Sequence, residues 1–227
     1  MALILSLETS TTVCSVAVHM DGKIVATSEV HKPQSHAAKL ANLVEEILNI
    51  AEVHPTQLNA IAIASGPGSY TGLRIGTSIA KGLCYALDIP LIAVNTLDLL
   101  ASQVKSYVTE DVFLCPMIDA RRMEVYCHVI DSALNIKQGV KAKVIDETSF
   151  LEFLNRKKVF FFGDGALKCR NIIQHPNAIF FDNIFPAAAY LGLMAHQKYV
   201  RQDTEDLQHF EPFYLKEFIA KKPMLNP

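Results

Sequence analysis

The stretch Ser65-Gly66-Pro67-Gly68-Ser69-Tyr70-Thr71-Gly72-Leu73-Arg74-Ile75-Gly76 joins an apolar strand to a helix through a turn with little side-chain bulk. Residues 60–64 before it are apolar throughout, which is typical of a buried strand in a parallel sheet. Glycine reaches backbone conformations that other residues avoid, and the first N–H groups of a helix attract anions. The stretch matches neither the P-loop pattern nor Gly-x-Gly-x-x-Gly. It therefore fits a phosphate site, or a tight turn whose glycines serve packing alone.

The composition is that of a globular protein, with 227 residues, 50% of them hydrophobic, and a formal net charge of −2. A charge this small gives no overall field that would collect nucleic acid. The five cysteines are scattered and form no Cys-x-x-Cys pair, so neither a disulfide framework nor a zinc site is indicated. No apolar run approaches the length of a membrane span. The sequence predicts a soluble cytoplasmic protein with no membrane contact.

The first half of the chain reads as three strands followed by alternating helices and strands. Asp21-Gly22 between two strand patterns is a strong hairpin signal, and apolar residues at helical spacing follow Ser35, a candidate N-cap. The predicted strands are 3–7, 14–20, 23–30, 60–65 and 91–94. One predicted helix begins at Ser35, and two more span 71–87 and 96–104.

A polar break near residues 105–111 divides a first domain, 1–104, from a second, 105–227, in which the same order partly returns. Strands are predicted at 112–118, 124–130, 136–145, 159–162 and 179–181, with helices at 149–155 and 186–201. The pattern predicts an α/β protein with two lobes, each a mixed sheet flanked by helices, and a shortened second lobe. Duplicated lobes around a cleft describe the actin-like (ASKHA, ribonuclease H-like) fold, and the C-terminal tail is expected to return to the first lobe.

In that fold the corner after the first strand of each lobe faces the phosphates of a nucleotide. A carboxylate at such a corner can hold a magnesium-bound water, although hydroxyl-rich corners are also good turn formers without any ligand. The predicted nucleotide-binding residues are the first corner and the glycine turn: Glu8, Thr9, Ser10, Gly66, Gly68 and Ser69.

Four motifs in this order resemble the bacterial TsaB (YeaZ) family. They are Ile4-Leu5-Ser6-Leu7-Glu8-Thr9-Ser10-Thr11, the opening glycine stretch, Lys81-Gly82-Leu83 and Asp119-Ala120-Arg121-Arg122-Met123-Glu124-Val125-Tyr126. The last has Met123 where the family usually has glycine. The resemblance implies an actin-like, non-catalytic paralogue of TsaD, the enzyme that attaches threonylcarbamoyl to adenosine 37 of tRNAs reading codons that begin with A.

One comparison with TsaD bears on catalysis. TsaD enzymes carry Asn-His-Met-Glu-Gly-His after the strand that follows the glycine turn, and its two histidines bind the catalytic metal. Here the same place reads Asn95-Thr96-Leu97-Asp98-Leu99-Leu100, with Thr96 and Leu100 in place of the imidazoles. Leucine has no lone pair to offer a metal. We therefore predict a pseudo-enzyme subunit with no catalytic residue, no metal and no cofactor in the isolated chain, ATP or ADP acting only at the level of a complex.

The resemblance implies four kinds of association: with a TsaD-like catalytic paralogue, with a TsaE-like ATPase, with a second copy when TsaD is absent, and with tRNA only indirectly. Gly72, Gly76 and Ala80 form a groove of small residues along one helix, and glycine within a helix costs about 1 kcal/mol relative to alanine. Either a partner helix or the chain's own sheet fits that groove. The predicted partner interface is Leu43, Ile47, Tyr70, Gly72, Leu73, Ile75, Gly76, Ile79, Ala80 and Leu83.

Two enzyme hypotheses are the alternatives. The first is a nucleotide-dependent acyl or phosphoryl transferase acting alone through Glu8 and the glycine turn. The second is a glycoprotease-like (M22) peptidase, for which the chain offers no Gly-x-Ser-x-Gly elbow.

Overall fold

The structure is a computed structural model that describes residues 1–32 and 36–216. The first lobe contains β1 (Leu3–Glu8), β2 (Cys14–Met20), β3 (Lys23–Val30), α1 (His36–Ile50), β4 (Ala60–Gly66), α2 (Tyr70–Leu87), β5 (Leu91–Asn95) and α3 (Thr96–Lys105). The later elements are β6 (Phe113–Asp119), β7 (Glu124–Asp131), β8 (Ile136–Val144), α4 (Leu151–Leu154), β9 (Val159–Phe162), β10 (Ala178–Phe180) and α5 (Leu191–Val200). The predicted N-cap Ser35 lies outside the described residues.

The two sheets repeat one strand order. The first runs β3-β2-β1-β4-β5, and the second, read from its β8 edge, runs β8-β7-β6-β9-β10. In each sheet the first three strands of the lobe pair antiparallel. The fourth strand pairs in parallel with the first, and the fifth pairs in parallel with the fourth. The second copy replaces the long helix α1 by the four residues of α4. The predicted fold of two lobes with a shortened second one is confirmed.

The first sheet is covered on both faces. Leu3, Leu5 and Leu7 of β1 pack in one core with the apolar sides of α1 and α2, whereas Ile4 packs with Ala195 of α5. Successive side chains of a strand point to opposite faces, so β1 and β4 are apolar throughout rather than alternating. Helix α3 covers part of the second face, where Leu99 packs with Val94 of β5 and Leu191.

The C-terminal part of the chain returns to the first lobe. Helix α5 contacts β1, β4 and β5. The Glu205 N–H donates to the Leu91 carbonyl (2.9 Å), and the Phe213 N–H donates to the Ser65 carbonyl (2.7 Å). The second predicted domain, 105–227, thus supplies both the second sheet and a covering for the first, while the division at residue 104 stays a prediction.

Two predicted helices are shorter than the sequence suggested. The helix expected at 186–201 begins only at Leu191, because Ala187 is extended and the Ala188 N–H is bound by the Ser15 hydroxyl on β2 (2.9 Å). The helix expected at 149–155 is reduced to α4, because Phe150 adopts a left-handed conformation (φ 66°) at its start. The start of α5 is therefore decided by a contact with β2, which is far away in the sequence.

The groove of small residues on α2 is filled by the chain itself. A Cβ built on Gly72 would lie 2.1 Å from the Thr9 carbonyl oxygen, and one on Gly76 would lie 2.3 Å from the Thr9 hydroxyl oxygen. That hydroxyl donates to the Gly72 carbonyl (2.8 Å), and Ala80 is buried in the first core. Of the two alternatives, packing within the chain accounts for these residues.

Within the described residues, no helix combines the length and the apolar character that a bilayer crossing requires.

Alanine at Gly72 and alanine at Gly82 should have opposite effects on stability, although both positions lie in α2. Gly72→Ala forces a methyl group against backbone and should lower the free energy of unfolding by about 1–3 kcal/mol. Nothing lies within 4 Å of a Cβ on Gly82, so Gly82→Ala should raise the free energy of unfolding by about 0.5–1 kcal/mol. Urea unfolding of the two variants measures both effects, and a neutral Gly72→Ala would contradict the packing described.

Candidate functional site

A cleft of about 650 Å³ lies between the two lobes. The first lobe contributes the β1–β2 corner and the first turns of α1 and α2. The second lobe contributes the ends of β6 and β9. The polar residues that line the cleft include Ser10, Thr11, Thr12, His36, Ser69, Thr71, Asp119, Arg121 and Asp164.

The carboxyl group of Glu8 lies in the interior beside this cleft. Its Oε1 accepts a hydrogen bond from the Ser10 N–H (2.7 Å), and Oε2 has no partner among the described residues. Burial raises the pKa of Glu8 from 4.5 to about 8, an effect that the Ser10 hydrogen bonds reduce and nearby Asp164 increases. Near neutral pH this carboxyl group is therefore largely protonated.

The glycine turn rests directly on the first corner. The Ser69 N–H donates to the Ser10 carbonyl (2.6 Å), and a Cβ on Gly68 would lie 2.4 Å from the same oxygen. The six predicted nucleotide-binding residues are brought together, as the sequence suggested. However, Glu8, Thr9, Ser10 and Gly66 are buried in contacts with their own chain. Burial and the raised pKa favour the protonated form of Glu8, which suits a magnesium-bound water poorly, and nucleotide binding at these six residues stays a prediction.

The corner of the second lobe is also held by internal contacts. The Asp119 N–H donates to Asp164 Oδ1 (3.0 Å), and Lys168 forms an ion pair with Asp119. Burial raises the pKa of Asp164 to about 6. In the β6–β7 turn the left-handed conformations fall on Arg121 and Arg122 (φ 66° and 48°), not on Met123. Methionine therefore replaces the family's usual glycine without backbone strain.

Thr96 and Leu100 serve packing at the place where the TsaD pattern has metal-binding histidines. The Thr96 hydroxyl accepts a hydrogen bond from the Gly66 N–H (3.1 Å), so it supports the glycine turn. Leu100 is fully buried with Leu97 and Phe162 between the lobes. Throughout the described residues no three His, Cys, Asp or Glu side chains are placed so that they could hold a metal ion.

The predicted partner interface divides into two groups. Leu43, Ile47 and Leu73 are buried in the first lobe, as are Gly72, Gly76 and Ala80. These six residues contact their own lobe, and their role at a partner interface stays a prediction.

Ile75, Ile79 and Leu83 are partly buried at the edge of the first core, on the side of α2 that faces α1. Leu83 lines a groove with Ala41 and Val44 of α1, whereas Ile75, nearer the start of α2, lines the cleft between the lobes beside Ala37. We refer to the surface along the facing sides of the two helices, which includes both places, as the α1–α2 valley.

Tyr70 is held on the other side of α2 by the chain's own tail. Its ring packs on that of Tyr214 (5.0 Å between centroids), and the Arg74 guanidinium lies over it (4.3 Å). Lys81 Nζ donates to the carbonyls of Gln208 and Phe210 (3.3 and 3.2 Å). The sequence predicted that the tail returns to the first lobe, but the tail carries no periodic pattern that would locate these contacts on α2.

Comparison with known proteins places these features in a family context. The sequence model described as TsaD: tRNA N6-adenosine threonylcarbamoyltransferase matches residues 25–224. The chain is 31% identical to the tRNA threonylcarbamoyladenosine biosynthesis protein TsaB of Escherichia coli over 232 residues, covering 97% of each.

Two of the similar solved structures illustrate the likeness. YeaZ from Pseudomonas aeruginosa superposes with a TM-score of 0.82 at 28% identity, over 95% of this chain and 100% of that one. The (R)-2-hydroxyglutaryl-CoA dehydratase component A of Acidaminococcus fermentans shares the actin-like fold alone, with a TM-score of 0.51 and 11% identity over 88% of this chain and 100% of that one.

The raised pKa of Glu8 predicts how stability depends on pH. In the unfolded chain Glu8 loses its proton near pH 4.5, whereas the folded chain keeps that proton up to about pH 8. The free energy of unfolding should therefore fall as pH rises from 4.5 to about 8. The slope should approach about 1.4 kcal/mol per pH unit. Glu8→Gln cannot ionise, so it should remove most of the slope between pH 6 and 8 and be the more stable form at pH 8.

Urea unfolding of both chains at pH 5, 6, 7 and 8 measures this difference. Asp164 titrates in the same direction but is expected to act mainly below pH 6. Equal slopes for the two chains between pH 6 and 8 would contradict the assignment to Glu8.

Proposed function

Because the chain belongs to the TsaB family of tRNA threonylcarbamoyladenosine biosynthesis proteins, we propose that it is a non-catalytic subunit that supports a TsaD-like transferase. The match to E. coli TsaB over nearly the whole of both chains supports the same role in both. We further propose that a TsaE-like ATPase joins the complex in the cytoplasm, with ATP or ADP bound there rather than by this chain alone. Its net charge of −2 favours indirect contact with tRNA.

The observation that carries this proposal is the packing of Thr96 and Leu100. At these two places the hydroxyl group supports the glycine turn and the leucine fills the core between the lobes. Neither side chain offers the imidazole nitrogen that would bind a catalytic metal in the TsaD pattern. The buried, largely neutral Glu8 likewise argues against a transferase that would use it as an anionic group. The chemistry is therefore assigned to the partner.

The α1–α2 valley is the surface that we propose for this partner. Its walls carry small exposed residues, which allow another helix to approach closely: Ala37, Ala38 and Ala41 on α1, and Ser78, Gly82 and Ala86 on α2. Ile75, Ile79 and Leu83 add the exposed part of their apolar surface, as in a helix-docking site. The same surface of a second copy could occupy the valley when the catalytic partner is absent, because a two-fold interface pairs identical patches.

Omission of this chain should abolish the modification in a reconstituted system. We expect purified TsaD-like and TsaE-like components, with tRNA, ATP and the threonylcarbamoyl donor, to give at least a tenfold lower rate without it. Nucleoside analysis of the tRNA by mass spectrometry measures the product. The same yield with and without the chain would refute a supporting role.

Gly82→Arg should block pairing without harming the fold, because nothing lies within 4 Å of a Cβ at this position. Burying an unpaired charge between helices should weaken the complex by about 2 kcal/mol or more, roughly 30-fold in Kd. Ile79→Glu should act in the same direction. Calorimetric titration with the TsaD-like partner gives the Kd of each variant.

Two matched controls accompany these variants. Gly82→Ala keeps the valley small, and Leu193→Glu places a charge on exposed α5, on the other face of the first sheet. Both should bind as the unmodified chain does. If folded Gly82→Arg and Ile79→Glu bound as tightly as these controls, the proposed interface would be wrong.

A further inference from the structure

A groove of about 430 Å³ lies at one end of the α1–α2 valley. Its floor is apolar, with Val44 and Leu48 of α1 beside the partly buried Leu83 of α2. At the other end of the valley, Ile75 near the start of α2 lies beside Ala37 near the start of α1. The two helices therefore run in the same direction, and the C-terminal halves of both border the groove.

Two exposed carboxylates line the same groove. Glu45 projects from α1, and Glu52 follows the end of that helix. Neither forms an ion pair with a described residue, and no described lysine or arginine lines the groove. His54, which also borders it, is hydrogen-bonded to the Thr56 hydroxyl (2.8 Å). We refer to this apolar floor with its two carboxylates as the acidic groove.

The two helices add to the negative potential at this place. The C-terminal end of a helix carries a partial negative charge, which a basic side chain in the last turn usually offsets. The last turns of α1 and α2 contain no basic residue. Glu52 lies two residues beyond the end of α1, where a carboxylate is unfavourable for the free chain. A cation supplied from outside the chain would remove this unfavourable interaction.

These charges restrict what can cover the apolar floor. A purely apolar segment would strip water from the carboxylates without offering a counter-charge, and an acidic segment would be repelled. Lysine and arginine combine an apolar stem with a cationic head. The stem can lie against Leu48 and Leu83 while the head reaches Glu45 and Glu52 at the rim.

We propose that a lysine or arginine side chain of the TsaD-like partner occupies the acidic groove. This inference rests on the proposed function and specifies the chemistry of the partner segment that lies in the valley. The cation fixes the position of the partner along the two helices, because only one end of the valley carries the carboxylates and the helix ends. Complementary charge of this kind sets register and speeds association.

Neutralising the two carboxylates tests the proposal. The double variant Glu45→Gln, Glu52→Gln should bind the TsaD-like partner about fivefold more weakly in calorimetric titration, and reversal of both charges to lysine about 30-fold more weakly. Between 50 and 500 mM NaCl the Kd of the unmodified chain should rise about tenfold, and that of the glutamine variant less than about threefold. The glutamine variant keeps side-chain size and should fold normally, because it removes negative charge near a helix C-terminus.

A second double variant controls for net charge. Glu46→Gln with Glu147→Gln changes the formal charge by the same amount, but Glu46 is exposed on α1 outside the groove and Glu147 is exposed in the second lobe. This pair should change the Kd less than about twofold and keep the salt dependence of the unmodified chain.

The outcomes separate this inference from the proposed function. If Gly82→Arg blocked binding but the Glu45→Gln, Glu52→Gln variant kept the Kd and salt dependence of the unmodified chain, the groove proposal would be wrong and the subunit role would stand. Equal weakening by the two double variants would trace the effect to net charge and would also overturn it. A change confined to self-association of the chain, measured by sedimentation, would assign the groove to a second copy instead. No binding by the unmodified chain would contradict both proposals.

Discussion

The contact between the β1–β2 corner and the start of α2 is the constraint on which the first lobe depends. Strands β1 and β4 are parallel neighbours, so the segments that leave them emerge at the same edge of the sheet. Gly68 and Gly72 lack the Cβ atoms that would collide with the carbonyls of Ser10 and Thr9. The Ser69 N–H and the Thr9 hydroxyl then bind across the contact. This docking sets the position of α2 beside α1.

The same contact changes the chemistry of the corner. One side of the corner packs against the glycine turn, while Ser10, Thr11 and Thr12 still line the cleft between the lobes. The Glu8 carboxyl group is buried beside them, where burial favours its protonated form. Thr96 also supports the glycine turn, because its hydroxyl accepts a hydrogen bond from the Gly66 N–H. In the TsaD motif this position holds a metal-binding histidine. Residues that are typical of a catalytic site in sequence thus stabilise a turn, which is consistent with a subunit that acts through its surfaces.

The surface proposed for the partner lies on one side of the first sheet, along α1 and α2. The inner stripes of α1 and α2 are used up by the sheet, which leaves the small outer residues and the side of α2 that carries Ile75, Ile79 and Leu83. The far side of α2 is covered by the returning tail through Tyr214 and Phe210. Helix α3 covers the opposite face.

The sequence by itself determined the strands, the Asp21-Gly22 hairpin, the apolar side of α2 and the repeated order of the two lobes. These are local patterns, in which side-chain spacing and turn residues act over a few positions. It also indicated the missing metal ligands at Thr96 and Leu100. The tertiary structure alone decided whether Gly72 and Gly76 face a partner or Thr9, whether Glu8 is ionised, and where the helix after Pro186 begins. Each of these depends on contacts between segments far apart in the chain, which the sheet topology sets and local spacing does not contain.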